Sequence, residues 1–126
     1  MYRQDIVIWC KERYGTEAEF PWHGDGTVYR HEDNRKWYAI VQAVRRDRLG
    51  LSGEGMVDVL NVKCDSMLIG ALRLEHGFFP AFHMNKEKWI SILLDGSVSR
   101  EKIVPLIEMS YELTATKKQT IKQRFC

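Results

Sequence analysis

The densest mixture of side chains able to handle anions lies between Pro80 and Ser99, in the run PAFHMNKEKWISILLDGSVS. Lys86 and Lys88 offer mobile ammonium groups for phosphates, His83 and Asn85 offer short polar groups that can donate to phosphates or base edges, and Trp89 offers a stacking face. Lys63, Arg73, Arg100 and Lys102 fall near the strand and helix ends that flank this run in sequence. A fold that gathered them would widen a basic patch. Each central residue also has an architectural role open to it: Asn85 can fix a turn through its own backbone, Trp89 can enter the core at a strand start, and His83 beside Phe82 can be a satisfied structural histidine.

Two other chemistries are weaker. Cys64, His83 and Asn85 or Asp95 supply the types needed for a thiol nucleophile, a base and an orienter. No recognisable signature surrounds the cysteine, so the expectation is a protein that is not an enzyme. His23 and His31 are eight residues apart with no His or Cys partner one turn away, and no H-E-x-x-H is present. Gly24-Asp25-Gly26 lacks both the G-x-G-x-x-G pattern and a following Gly-Lys-Ser/Thr, and reads as a turn into a strand. Neither a metal nor a cofactor is expected.

The elements that must position these residues can be read from local patterns. Tyr2, Ile6, Trp9, Cys10 and Tyr14 recur at helical spacing and predict a first helix with a core-facing stripe, closed by Gly15. Residues 27–32 and 36–44 read as two strands joined around Asp33-Asn34, and pair antiparallel. A polar connector with Gly50, Gly53 and Gly55 leads to a third strand over 56–63, rich in Val and Leu. Asp65 or Ser66 caps a short helix running to Glu75, with Leu68, Ile69 and Leu72 on one face and Gly77 as terminator. Phe78-Phe79-Pro80 leads into the central run, where Ile90, Ile92 and Leu94 alternate with Ser91 and Leu93 as a strand ended by Asp95-Gly96.

Ser99 then caps a last helix, with Val98 and Ile103 at the staple positions. Pro105 conflicts with it. Inside a helix a proline lacks the ladder donor and costs roughly 3 kcal/mol, which predicts either a kink or a regular helix that starts only near Val104. The whole is an α+β domain: an antiparallel sheet with an N-terminal, a short middle and a C-terminal helix, and one or two strands beyond the first three. It fills residues 1–126 as one domain, with 114–126 as a polar tail that can fray.

With 126 residues, 44% of them hydrophobic, the chain can bury a core without staples. Cys10, Cys64 and Cys126 show no C-x-x-C spacing and cannot all pair, as in a reduced intracellular protein. There is no apolar leader and no run of eighteen apolar residues, so a cytoplasmic protein without membrane insertion is expected. The net charge of +2 permits nucleic-acid binding without arguing for it. Basic residues cluster at Arg45-Arg46-Asp47-Arg48 and at Lys117, Lys118, Lys122 and Arg124; most such runs are solvated faces.

Taken together, Phe82-His83-Met84-Asn85-Lys86-Glu87-Lys88-Trp89, Leu94-Asp95-Gly96-Ser97-Val98 and Ser110-Tyr111 resemble the H-x-N-K-x-x-W, L-D-G-S and S-Y signatures of the MmcQ/YjbR family in letters, order and spacing. Phe20-Pro21-Trp22, Trp37-Tyr38-Ala39 and Val62-Lys63-Cys64-Asp65 are similar to further family positions, so the resemblance covers nearly the whole chain. It implies a small cytoplasmic bacterial protein with a CyaY-like α+β fold, likened to the double-wing domain of a phage transcription activator. Family members are usually described as DNA-binding, a function inferred mainly from fold likeness. Iron binding by analogy with frataxin-like folds would want an acidic first helix. Here Asp5 and Glu12 sit beside Arg3, Lys11 and Arg13, and the charge does not support it.

The expectation is therefore a monomeric, non-enzymatic DNA-binding protein that meets phosphates through Lys63, Arg73, His83, Asn85, Lys86, Lys88 and Arg100. The alternative is a protein-interaction or regulatory module whose central run is architectural. Convergence of Lys63, Lys86, Lys88 and Arg100 on one exposed face favours the former, and scatter favours the latter.

Overall fold

A computed structural model describes residues 1–22, 24 and 26–116. His23, Asp25, the basic residues from Lys117 onward and Cys126 lie outside the described residues, and with them the histidine pair and the Gly24-Asp25-Gly26 turn. Eight regular elements follow in order: α1 (Arg3–Tyr14), β1 (Thr27–Arg30), β2 (Trp37–Arg45), β3 (Met56–Lys63), α2 (Ser66–Leu72), β4 (Phe78–Pro80), β5 (Trp89–Leu93) and α3 (Arg100–Thr114). The polar connector after β2 contains a 3-10 turn, Arg46–Leu49. The five strands form an antiparallel sheet in the order β1-β2-β3-β5-β4. This is the α+β architecture expected, and no helix among the described residues is long and apolar enough to cross a membrane.

β4 was not separable from sequence as a strand, because three residues ending in proline carry no period. It lies at the sheet edge, pairing Phe78 with Ile92 and Pro80 with Ile90. An edge is where a proline, lacking its ladder donor, is tolerated. β5 inside it is buried from Ile90 to Leu93 on consecutive positions. Both faces of the sheet are therefore covered here, which explains an almost continuous apolar run.

One face holds the main core. Ile6 and Cys10 of α1, Ile69 and Leu72 of α2, and Ile103, Leu106 and Ile107 of α3 pack on Val41, Leu60, Val62, Ile90 and Ile92. The opposite face carries a smaller cluster, Val44, Leu49, Val59 and Leu93, flanked by Leu51, Val57, Phe79 and Phe82. Two positions expected in helical core stripes stay outside: Tyr2 is 57% and Leu68 41% exposed. Tyr2 precedes the first turn of α1 as its N-cap, and α2 is too short for more than Ile69 and Leu72 to reach the sheet.

The helix ends follow their local chemistry. Gly15 closes α1 at φ 69°, Asp65 Oδ1 accepts from the Met67 amide at 2.9 Å, and Ser99 Oγ accepts from the Lys102 amide at 3.3 Å. Val98 and Ile103 are both buried, as the staple requires. The late start considered for α3 is not what the structure shows: the helix begins at Arg100 and runs through Pro105 to Thr114. Pro105 and Glu101 both lie on the exposed side, so water can reach the Glu101 carbonyl that loses its helical donor.

Candidate functional site

The connection from β4 to β5 is built as a tight turn. Asn85 Oδ1 accepts from the Glu87 amide at 2.9 Å, and the Asn85 carbonyl accepts from the amides of Lys88 at 3.1 Å and Trp89 at 2.9 Å. Asn85 thus plays the architectural role open to it, and the turn presents Lys86, Glu87 and Lys88 to solvent. His83 is exposed and takes φ 59°, a left-handed conformation uncommon outside glycine. Trp89 is half-buried.

Four of the predicted cations come together at this end of the sheet. Lys63 pairs with Trp89 across the β3–β5 ladder, and the Cys64 amide donates to the Lys88 carbonyl at 2.8 Å. Arg73 reaches from the end of α2 to donate to the Lys86 carbonyl. Arg100 and Lys102 do not join them. They open α3 beyond the other end of β5, a strand about 13 Å long at 3.3 Å per residue, and Lys102 pairs with Glu75 at 3.1 Å. Of the four cations whose convergence was expected, the backbone brings Lys63, Lys86 and Lys88 to one end of the sheet, with Arg73 beside them, and Arg100 starts α3 beyond the other end of β5.

Several of the other cations are paired. Arg3 pairs with Asp58 at 2.7 Å, Arg30 Nε donates to Glu19 at 2.8 Å, Arg13 faces Glu108 at 3.8 Å, and Arg45 is held by Asp47. Among the described residues, Lys63, Arg73, Lys86 and Lys88 form no ion pair with a carboxylate. Glu87 and Asp65 lie beside them in sequence and keep the local excess small.

Next to this cluster, on the sheet face away from the helices, lies a groove of about 430 Å³ lined by Leu49, Phe79, Pro80, Ala81 and Phe82 together with Arg48, His83 and Lys86. A polar row fixes one wall. Asn61 Nδ2 donates to Gln42 at 3.3 Å, the Ser91 hydroxyl donates to Asn61 Oδ1, and the Phe82 amide donates to Ser91 Oγ at 3.3 Å. The row crosses β2, β3 and β5 and seats Phe82 on the sheet. Sequence reading did not place Arg48, Phe79 or Phe82 at a site. The Arg45–Arg48 run was the available signal, but it could not say which arginine faces the groove.

A second concavity, of about 660 Å³, lies at the C-terminal end of α3, where Tyr14, Glu19, Arg30, His31, Asp33 and Tyr111 are among its walls. The hydrogen bond from Arg30 holds the Glu19 carboxyl below its usual range. The Thr116 hydroxyl, followed by the Asn34 amide, does the same for Asp33. His31 is 5% exposed, and burial pushes its imidazole below the ordinary value. Its Nε2 lies 2.8 Å from Thr114 Oγ1.

Cys64, His83 and Asp95 are not gathered in one concavity among the described residues. Cys64 is buried, and burial, then Asp65, raise its thiol, whereas a reactive thiol needs a depressed value. The groove that takes in His83 does not take in Cys64, and Asp95 lies past the far end of β5, where its carboxylate accepts from the Ser97 amide at 2.9 Å. Among the described residues no group of three His, Cys, Asp or Glu side chains is placed to hold a metal ion.

Comparison with known proteins agrees with the fold and the motifs. The chain is 40% identical over 114 residues to the uncharacterized protein YyaQ of Bacillus subtilis strain 168, covering 89% of this chain and 97% of that one. A crystal structure of a Pseudomonas syringae protein superposes with a TM-score of 0.88 at 40% identity, covering 91% of this chain and all of that one. A Deinococcus radiodurans protein, DR2400, matches with a TM-score of 0.70 at 25% identity over 94% of this chain and 80% of that one. The YjbR family model matches residues 11–113, a span that contains the turn, the groove and the strands beneath them, and the chain belongs to the YjbR family.

Proposed function

We propose that this protein binds nucleic acid without acting as an enzyme, through phosphate contacts made by Lys63, Arg73, Lys86 and Lys88. The observation that carries this reading is placement: the β3–β5 pairing and the Arg73–Lys86 contact bring Lys63, Arg73, Lys86 and Lys88 to one end of the sheet, where none has a carboxylate partner among the described residues. The lysine ammonium groups, without an acidic partner among the described residues, keep their attraction for phosphate, Arg73 adds its charge while it donates to the Lys86 carbonyl, and condensed counterions released from the nucleic acid supply the driving force. With Glu87 and Asp65 close by and a net charge of +2, binding is weak and falls steeply with salt. Arg100 is no part of this contact.

The test is fluorescence anisotropy of labelled duplex and single-stranded DNA over a salt series, with wild type and Lys86→Ala/Lys88→Ala. Wild type binds at low salt, and the variant binds more weakly with a shallower slope. No binding by wild type at low salt ends the nucleic-acid reading. A protein-interaction module is the second reading, favoured by Met67 and Leu74, which stand 88% and 89% exposed on and just after α2.

A further inference from the structure

We infer that the groove beside the lysine turn holds an unstacked base, so that the protein prefers single-stranded nucleic acid to duplex. The inference rests on the phosphate-binding reading and extends it to a second contact. The groove's eight lining residues are five apolar ones and Arg48, His83 and Lys86, with no acid among them. That composition suits a ligand with a flat apolar body and a negative charge at its edge. Its volume lies within the range of small-ligand sites.

Both rings that face it are held. Phe79 lies on β4 directly opposite Ser91, and Phe82 is anchored by its amide to the Ser91 hydroxyl. Both pack partly buried against the cluster of Val44, Leu49, Val59 and Leu93. Rings fixed in this way form a platform that loses little freedom when a base stacks. The arginine at the rim is the one left over. In the run Arg45 to Arg48, Arg45 is held by Asp47 and Arg46 Nε donates to the Ser52 carbonyl at 2.8 Å, whereas Arg48 forms no ion pair among the described residues and lines the groove.

Lys86 joins groove and phosphate contact, because it belongs to both. A strand laid along Lys88 and Lys86 brings its next nucleotide to the groove mouth. A base inside a duplex cannot enter, since its faces are covered by its neighbours. The left-handed His83 turns the chain at this mouth and places an imidazole at the rim.

The test uses a fluorescent ten-nucleotide oligothymidylate and an oligomer of the same length with abasic residues throughout, which keeps the phosphates and removes the bases. Wild type binds the oligothymidylate roughly tenfold more tightly than the abasic oligomer, the size of a stacking contact. Phe82→Leu, which keeps an apolar side chain on the cluster, removes most of that difference and leaves abasic binding unchanged. Equal binding of the two oligomers by wild type overturns the base site while leaving the phosphate reading intact, and absence of binding to either overturns both. Thymidine monophosphate binding as tightly as the oligomer assigns the groove to a free nucleotide instead. An acidic Phe-containing peptide that outcompetes the oligomer assigns it to a protein partner. Either result overturns the single-strand inference.

Discussion

Two concavities among the described residues use their charges in opposite ways. The cleft at the end of α3 carries Glu17, Glu19, Glu32 and Asp33 beside Arg30 and Arg35, and both of its arginines are taken up by one acid: Glu19 accepts from Arg30 at 2.8 Å and lies 3.8 Å from Arg35. The groove beside the lysine turn has three basic or titratable side chains and no acid. In the cleft, electrostatics joins segments of the fold. In the groove it remains available to something else. Volume alone would have chosen the cleft, which is the larger; the state of its charges argues for the groove.

If that division is right, changes near the cleft act on stability and changes near the groove act on binding. The largest effect is expected from Ser110→Ala. Ser110 Oγ accepts from the Lys63 amide at 2.8 Å and donates to the Tyr38 carbonyl, so alanine leaves two backbone groups without their partner beneath α3. A loss of about 1–3 kcal/mol in urea unfolding is expected, with a smaller loss of DNA affinity per folded molecule, because one of the freed backbone groups is that of Lys63, a proposed phosphate contact. A matching loss of affinity would show that the two regions are coupled.

Lys86→Ala/Lys88→Ala is expected to do the reverse. Both side chains are exposed, so stability stays within about 0.5 kcal/mol, while the salt slope for single-stranded DNA becomes shallower by about 1.4 for two lost phosphate contacts. Chemical unfolding and the salt series separate the two outcomes. Glu19→Gln sharpens the contrast from the other side by releasing Arg30 and Arg35. If pairing is what silences the cleft's arginines, the salt slope steepens by up to about 0.7 per arginine freed; an unchanged slope shows that position, and not pairing, keeps them from phosphate.

The smallest effect concerns pH. Burial lowers the His31 pKa in the fold, with the Tyr111 carbonyl, Asp33 and Glu112 acting against that shift and Lys36 with it. The unfolded chain then binds the proton more readily, so stability is complete above the unfolded value of about 6.5 and declines as pH falls below it toward the folded value. The carboxylates Glu19 and Asp33, whose values are lowered, add their own loss only in the more acidic range where unfolded carboxyls titrate. Thermal midpoints between pH 7 and 5 should fall for wild type and flatten for His31→Gln. Nucleic-acid affinity per folded molecule should not follow the same curve.

Much of the fold was legible because it is locally encoded. Ser99, Asp65 and Gly15 each close or open a helix through contacts within a few residues, and the antiparallel pairing of β1 and β2 around Asp33-Asn34 follows from strand composition and a turn. Where several elements compete for one surface, local patterns misled. Tyr2 and Leu68 keep helical spacing but stand outside the core, because only the packed assembly decides how wide a stripe each helix can bury. The proline conflict in α3 was resolved by orientation: Pro105 lies on the exposed side, a fact that spacing within the helix could not supply without the position of the sheet.

The sequence by itself determined the α+β class, the helix caps and the family, since each depends on residue type and short spacing, while it left Asn85 open between a turn and a phosphate contact. Tertiary structure alone decided which cations meet. Lys63 and Lys88 are far apart in the chain but adjoin because β3 and β5 pair antiparallel, while Arg100, much nearer to Lys88 in sequence, is carried to the other end by the length of β5. Arg48 reaches the groove only because the connector after β2 folds across the second face of the sheet. Charge attraction falls with distance through space, and the chain's own numbering does not measure that distance.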